Sequence, residues 1–227
     1  GNCWFCSLVA SFSGTRASSI RTKIYPQQYN PVGVYAIEIF IGQQRYFVLV
    51  DDFIPLNASG LPAFGKSNNT NEIWFMLFEK AFAKIWGCYQ YLRGGHSRNL
   101  GSSRAAEFLS KSFFHFLKIQ KKQQKYIWNE IQEYLDEKWV VTMGTIPIDY
   151  IEAFGLVDNH AYSVLATFKH KDDLLVVLRN PWGKTEWLGR WSDEDEKTQN
   201  SRQQYFDLFP EDDGIFFITI HDLVKYF

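Results

Sequence analysis

Three residues, far apart along the chain, have the types that acyl-transfer chemistry needs: Cys3, His160 and Asn180. Cys3 stands directly before WFCSLVASF at 4–12, an apolar run that suits a buried helix. At a helix start the unpaired N–H groups and the macrodipole stabilise a thiolate and lower the thiol's pKa. His160 precedes AYSVL and so stands at the mouth of a strand. Asn180 ends the run LLVVLR and leads into Pro-Trp-Gly. An amide placed there can accept a ring N–H from a histidine, which leaves the other ring nitrogen for the sulfur. Trp182 is placed to cover that bond and keep water out. The chemistry of such a set is a thiolate attacking an acyl carbon, an imidazolium protonating the leaving amine, and water hydrolysing the thioester with the imidazole as base. Each residue has a plainer reading on its own: a buried structural cysteine, a turn-forming Asn before Pro. Cys6, one turn into the helix, and Cys88 read as structural, and His96, His115, His170 and His221 lack the setting of His160.

The elements that must position these residues change character along the chain. After the first helix, 34–40 (VYAIEIF) and 46–50 (YFVLV) read as strands of a hairpin, with Gly42 free to take the turn. Residues 57–71, rich in Asn, Ser, Gly and Pro, read as a loop. Glu72–Trp86 is apolar on nearly every side, the mark of a helix buried all round, and Gly87 is placed to end it. Leu92–Ser103 reads as another loop, and Arg104–Leu117 and Tyr126–Trp139 as two further helices. From Val140 the period shortens, with strand-like runs at 161–168, 174–179 and 215–220. Between the last two lies WGKTEWLGRWSDEDEKTQNSRQQ, a polar insert studded with Trp. The expectation is an α+β protein: a mainly helical first lobe over 1–143 carrying the nucleophile, and a mainly β second lobe over 144–227 carrying His and Asn. A cleft between two such lobes is where ligands commonly bind.

Composition bounds the partners. The chain has 227 residues, 46% apolar, 22% charged, with a net charge of −1, so nothing steers it toward nucleic acid. The basic run from Lys118 to Lys125 reads as a solvated turn. Three cysteines make no disulfide framework and suit a reducing compartment, so the cytoplasm is expected. No Cys or His spacing fits a zinc site, and no run approaches a membrane span. The chain opens at Gly1 directly on a motif, so targeting signals could lie upstream of it.

The order Cys, His, Asn, with the last two well over a hundred residues beyond the first, matches the general papain-type arrangement. The motifs narrow this. Gly1-Asn2-Cys3-Trp4, the helix EIWFMLFEKAFAK at 72–84, Gly155-Leu156-Val157 with His160-Ala161-Tyr162-Ser163-Val164, and Arg179-Asn180-Pro181-Trp182-Gly183 followed by Glu186-Trp187 and Gly189-Arg190-Trp191 resemble the calpain family of calcium-dependent cysteine proteases. The tail from Asp213-Gly214 to Tyr226-Phe227 is similar to that family's ending. The resemblance covers nearly the whole chain and is weakest over 13–33 and 96–140. It implies a papain-like cysteine proteinase fold of two lobes with an active-site cleft between them. It implies cleavage of peptide bonds in protein substrates by Cys3, His160 and Asn180, and further domains flanking this core. It also implies two calcium sites, one per lobe. Glu72 matches a ligand of the first, whose other ligands would fall upstream of Gly1. Glu186, Asp193 and Asp213, with the backbone carbonyl of Glu211, match the second.

Four features depart from the family pattern. Asn2 stands where the family has Asp, Asn159 replaces a Gly before the histidine, and Ile215 replaces an acidic ligand. The family's oxyanion-hole Gln lies a few residues before the cysteine, outside this sequence. Two rival functions follow from the same residues. A transglutaminase-like acyl transferase shares Gly-x-Cys-Trp and calcium but uses Asp as its third residue. A catalytically silent calpain-like interaction module would have lost one of the three, and all three are present.

Overall fold

In a computed structural model the structure describes residues 2–67, 69, 71–93, 101–110, 115–120, 123–206 and 213–227, with backbone alone at 15–19, 101–104 and 203–206. It is a mixed α+β architecture with two antiparallel sheets and several helices. The chain divides into two compact units, Gly1–Cys6 with Arg16–His115, and Ser7–Thr15 with Phe116–Phe227.

In the first unit, α1 (Cys3–Arg21) begins where the Asn2 carbonyl accepts from the N–H groups of Phe5 (2.9 Å) and Cys6 (3.1 Å). The helix outruns the apolar stretch that marks it in the sequence. Strands β1 (Ile24–Tyr25), β2 (Val34–Ile41) and β3 (Gln44–Asp51) form one sheet in that order. The β2–β3 register runs from Val34 opposite Asp51 to Ile41 opposite Gln44. Gly42 and Gln43 join them with both φ positive, the two-residue hairpin turn whose twist matches the strands. Tyr35, Ile37 and Ile39 alternate into the core from β2. Helix α2 (Trp74–Trp86) is buried over most of its length, as its all-round apolar sequence demands, and Gly87 ends it at φ 104°. The Lys80 and Lys84 ammonium groups reach the carbonyls of Phe53 (2.7 Å) and Leu49 (2.8 Å).

Helix α3 spans Gly101–Ser110, and 115–120 is irregular, where the sequence suggests one helix from Arg104 to Leu117. Leu117 and Ile119 explain the end of that pattern: they pack on the second unit's core two residues apart, a spacing of extended chain. Residues 111–114 fall outside the described residues. Helix α4 (Gln124–Asp136) stops before Trp139, the end its sequence suggests. Lys138 takes a left-handed φ of 62°, so that its N–H returns to Leu135 O (3.0 Å) and the Trp139 N–H to Tyr134 O (2.8 Å). The Trp139 ring then stacks on Tyr134 at 5.0 Å, closing a helix stop that usually needs glycine.

The second unit is built on the antiparallel sheet β4 (Val141–Gly144), β5 (Ala161–His170), β6 (Asp173–Arg179) and β7 (Ile215–Thr219), in that spatial order. The unbroken apolar run of β6 is accounted for by cover on both faces. Val176 and Leu178 join a core with Tyr162, Phe216 and the α4 residues Ile127 and Ile131, while Leu175 and Val177 meet Trp191 and Phe217. Thr219 caps α6 (Ile220–Tyr226) by accepting the Asp222 N–H at 3.1 Å. The polar insert is not a plain loop: it contains α5 (Glu196–Phe206), which the sequence pattern does not announce.

Candidate active site

Cys3 occupies the first helical position of α1, half-buried, behind a backbone carbonyl that caps the helix. Its neighbours fix that end of the helix. Phe5 is fully buried against Phe75 and Phe82, and the Trp4 indole donates to Leu92 O at 3.1 Å. The residue before Cys3 is held by a group the sequence does not flag. Glu79 of α2, 2% exposed, accepts from Asn2 Nδ2 (2.5 Å) and from the Gly65 N–H (3.0 Å to Oε2). Burial pushes the Glu79 carboxyl above its ordinary range, against the pull of those two donors. Asn2 Oδ1 in turn accepts from Cys6 Sγ (3.5 Å). Burial, with Glu79 adding to it, drives the Cys6 thiol far above the usual thiol range, so Cys6 stays neutral and inert. Asn2 thus does what the family's Asp cannot do without a shared proton: it donates to a buried carboxylate.

His160 and Asn180 are brought together in the second unit. His160 Nε2 lies 2.9 Å from Asn180 Oδ1, and the residues are 3% and 0% exposed. The amide's orientation is set by its other end, where Nδ2 donates to Lys184 O (2.7 Å) and Thr185 O (2.9 Å). Oδ1 must therefore face the ring, and it also accepts the Trp182 N–H at 3.1 Å. An acceptor facing Nε2 requires the proton there in the neutral ring, and this leaves the Nδ1 lone pair unused by the pair. Burial lowers the His160 pKa to about 4, while the Asn180 bond opposes that shift. The Trp182 ring lies 4.4 Å from the imidazole and Tyr162 meets it edge-on at 5.0 Å, so two aromatic walls supply the dry setting.

Backbone devices hold the pair in register. Thr145, after β4, accepts the His160 N–H on Oγ1 (2.9 Å) and sends its own N–H to His160 O (2.9 Å), while Oγ1 donates to Val157 O (2.7 Å). Asn159 adopts φ 46°, a left-handed turn that Asn tolerates and Gly takes freely, which accounts for glycine at this position in the resembled family. Gly214 (φ 86°) sends its carbonyl to the Asn180 N–H at 2.8 Å, and a Cβ on it would fall 2.7 Å from Asn180 O. Thr145 and Glu79 are positioning residues with no local sequence signal, since each acts on a partner distant along the chain.

The described residues matched to calcium sites have protein partners of their own. Glu72 lies in the first unit, its carboxylate accepting from Ser67 Oγ (2.8 Å), Trp74 Nε1 (3.1 Å) and Asn69 Nδ2 (3.3 Å), which hold its pKa down. In the second unit Glu186 Oε1 accepts the Gly214 N–H (2.7 Å), and Asp213 Oδ1 accepts the Ile215 N–H (2.8 Å). Asp193 is bound by the Arg202 guanidinium on both its carboxylate and its backbone carbonyl. Glu211 lies outside the described residues. Among the described residues no group of three or more His, Cys, Asp or Glu is arranged to hold a metal. Asp193, as placed, does not fit an ion, because a cation of the chain's own already occupies it.

The first unit thus carries a cysteine at a helix start, and the second carries an oriented His–Asn pair. Comparison with known families is more definite: the description calpain family cysteine protease matches residues 1–227, and the chain belongs to that family. It is 31% identical over its whole length to the calpain-type cysteine protease DEK1 of Zea mays, of which it covers 11%. It is 28% identical to calpain-5 of Mus musculus and covers 40% of that protein. The chain therefore spans between about a tenth and two fifths of these relatives.

Proposed function

We propose that this chain is the catalytic core of a cysteine endopeptidase that hydrolyses peptide bonds in protein substrates. The observation that carries the reading is the buried His160–Asn180 bond, in which the amide's own two donor bonds dictate the tautomer. In this reading the fold is papain-like, with lobes over 1–143 and 144–227 and the substrate cleft between them. Cys3 is the nucleophile, His160 the acid and base, and Asn180 the residue that orients the ring.

His160 is neutral by itself at pH 7, since burial lowers its pKa to about 4. A thiolate partner reverses that balance, because an anion within a few ångströms favours the imidazolium. Attack on the scissile carbonyl forms the carbon–sulfur bond, and the imidazolium passes its proton to the departing amine. The imidazole then takes a proton from water, whose oxygen displaces the sulfur. Throughout, Asn180 keeps its acceptor on Nε2–H, and Trp182 limits competition by water for that bond.

Calcium enters this proposal only at Glu72, whose charged carboxylate would give an ion one hard oxygen ligand. No catalytic step depends on it. Three free cysteines support a reducing, cytoplasmic setting, and the partial coverage of the relatives supports flanking domains in a longer protein. No helix among the described residues is long and apolar enough to cross a membrane.

The test is labelling with a peptidyl epoxide followed by peptide mapping, beside hydrolysis of denatured casein by the chain in its longer protein. Label on Cys3, with Cys6 and Cys88 unmodified, and loss of casein hydrolysis in Cys3→Ala are expected. Hydrolysis at the wild-type rate by Cys3→Ala would overturn the assignment of the nucleophile, and a wild-type protein that neither takes the label nor cleaves casein would leave the interaction-module reading.

A further inference from the structure

The acidic insert between β6 and β7 brings Asp193, Glu194, Asp195 and Glu196 together in sequence, and matched motifs assign Asp193 to a calcium ion. The structure gives the insert a different organisation. Asp195 starts α5 from its N-terminal side, accepting from the Lys197 N–H (3.2 Å) and Thr198 Oγ1 (3.0 Å), and it also takes the Trp191 N–H (2.9 Å). Two turns into that helix stands Arg202. Helical side chains lean toward the N-terminus, so the long guanidinium reaches back over the first turn to the segment before it. There its Nη1 meets Asp193 Oδ1 and its Nη2 donates to Asp193 O at 2.8 Å. The Arg202 side chain is 3% exposed and that of Asp193 20% exposed.

We propose that Arg202 is a built-in cation that takes the place of calcium at Asp193, so that the second unit's insert is ordered by the chain itself. A carboxylate oxygen and a backbone carbonyl are the hard donors a calcium ion would use, and both are already committed to one guanidinium. An ion binding at Asp193 would have to expel that group and leave it buried without its anion, a penalty subtracted from the ion's affinity. Ile215 is consistent with this, since it offers no side-chain oxygen where the resembled family has a ligand. Glu186 and Asp213, bound to the N–H groups of Gly214 and Ile215, shape the turn into β7 and need no ion between them. The inference stands on the insert's packing and not on the protease reading, and it holds even if Cys3 proves inert.

The experiment measures thermal unfolding of the 227-residue chain by tryptophan fluorescence, with calcium chloride from zero to millimolar and magnesium chloride as control. Wild type and Asp193→Asn should respond to calcium identically, any common rise coming from elsewhere. Arg202→Gln should lower the midpoint by roughly 6–20 °C, as removal of one partner of a buried ion pair does in a chain of this size. Where Arg202→Gln does not fold, Arg202→Lys, which keeps the charge but loses the two-pronged grip, should melt below wild type without calcium restoring it. A calcium-dependent rise in wild type that Asp193→Asn abolishes would overturn the proposal, as would an Arg202→Gln variant that melts with wild type.

Discussion

Acidification should destabilise this fold through one residue more than its chemistry alone would suggest. His160 has a pKa of about 4 in the folded chain against 6.5 when unperturbed, chiefly because burial disfavours the charged ring. Well above pH 6.5 neither state is protonated there and the fold keeps its full stability. Between 6.5 and 4 the unfolded chain takes up a proton that the folded chain refuses, so stability falls with pH through that window and levels off below it. A fall from 6.5 to about 4 corresponds to about 3 kcal/mol. For a chain of this size that is about 6–12 °C in melting temperature. In a Cys3→Ala background, where no thiolate can charge the ring, His160→Gln, neutral at every pH, isolates this contribution, because the other titrating groups cancel between the two chains. The assay is urea unfolding followed by tryptophan fluorescence from about pH 7.5 to pH 4. The Cys3→Ala chain should lose about 3 kcal/mol more than the double variant over that range. A stability difference that stays constant within about 1 kcal/mol would refute the reasoning, since it would mean His160 titrates alike in both states. Asn180→Ala, which removes the contact that opposes the shift, should move the lower edge of the window further down.

Two further outcomes follow from the same geometry. Asn180→Ala should lower the turnover of protein substrate about 100-fold by freeing the ring. Its stability cost should stay near 1–3 kcal/mol, for the two carbonyls left unpaired at Lys184 and Thr185, as checked by steady-state rates beside melting curves. Gly155→Ala should cost at least about 2 kcal/mol in urea unfolding, because φ there is 75° and a Cβ would fall 1.8 Å from the backbone oxygen of Glu186.

The parts of this molecule legible in its sequence are those whose cause is local. The buried run 174–179 needs only its own residues to read as a strand, and Gly42 and Gly87 mark their turns by lacking a Cβ. Asn180 was legible because its neighbours Pro181 and Trp182 make its setting unusual. Glu79 was not. Within α2 it stands beside Lys80 and reads as one more helix charge, and its partners Asn2 and Gly65 lie 77 and 14 residues away. Thr145 is hidden for the same reason: nothing in a Thr after a short strand predicts a clamp on a histidine 15 residues on.

Helix α5 shows a second way for a pattern to stay silent. Period reading finds helices by an apolar stripe, and EKTQNSRQQYF over Glu196–Phe206 has almost none. What defines this helix is polar and positional: Asp195 at its start, Thr198 against that carboxylate, and Arg202 returning from its second turn to Asp193. Each bond spans two to nine residues, close enough in sequence to be found by asking which cation reaches which carboxylate across a helix start. Taken as one acidic patch, SDEDE hides that relation. Counting them singly separates a helix cap at Asp195 from an ion-pair partner at Asp193. The same run of letters then describes a self-ordered segment following the Asn180–Trp182 turn.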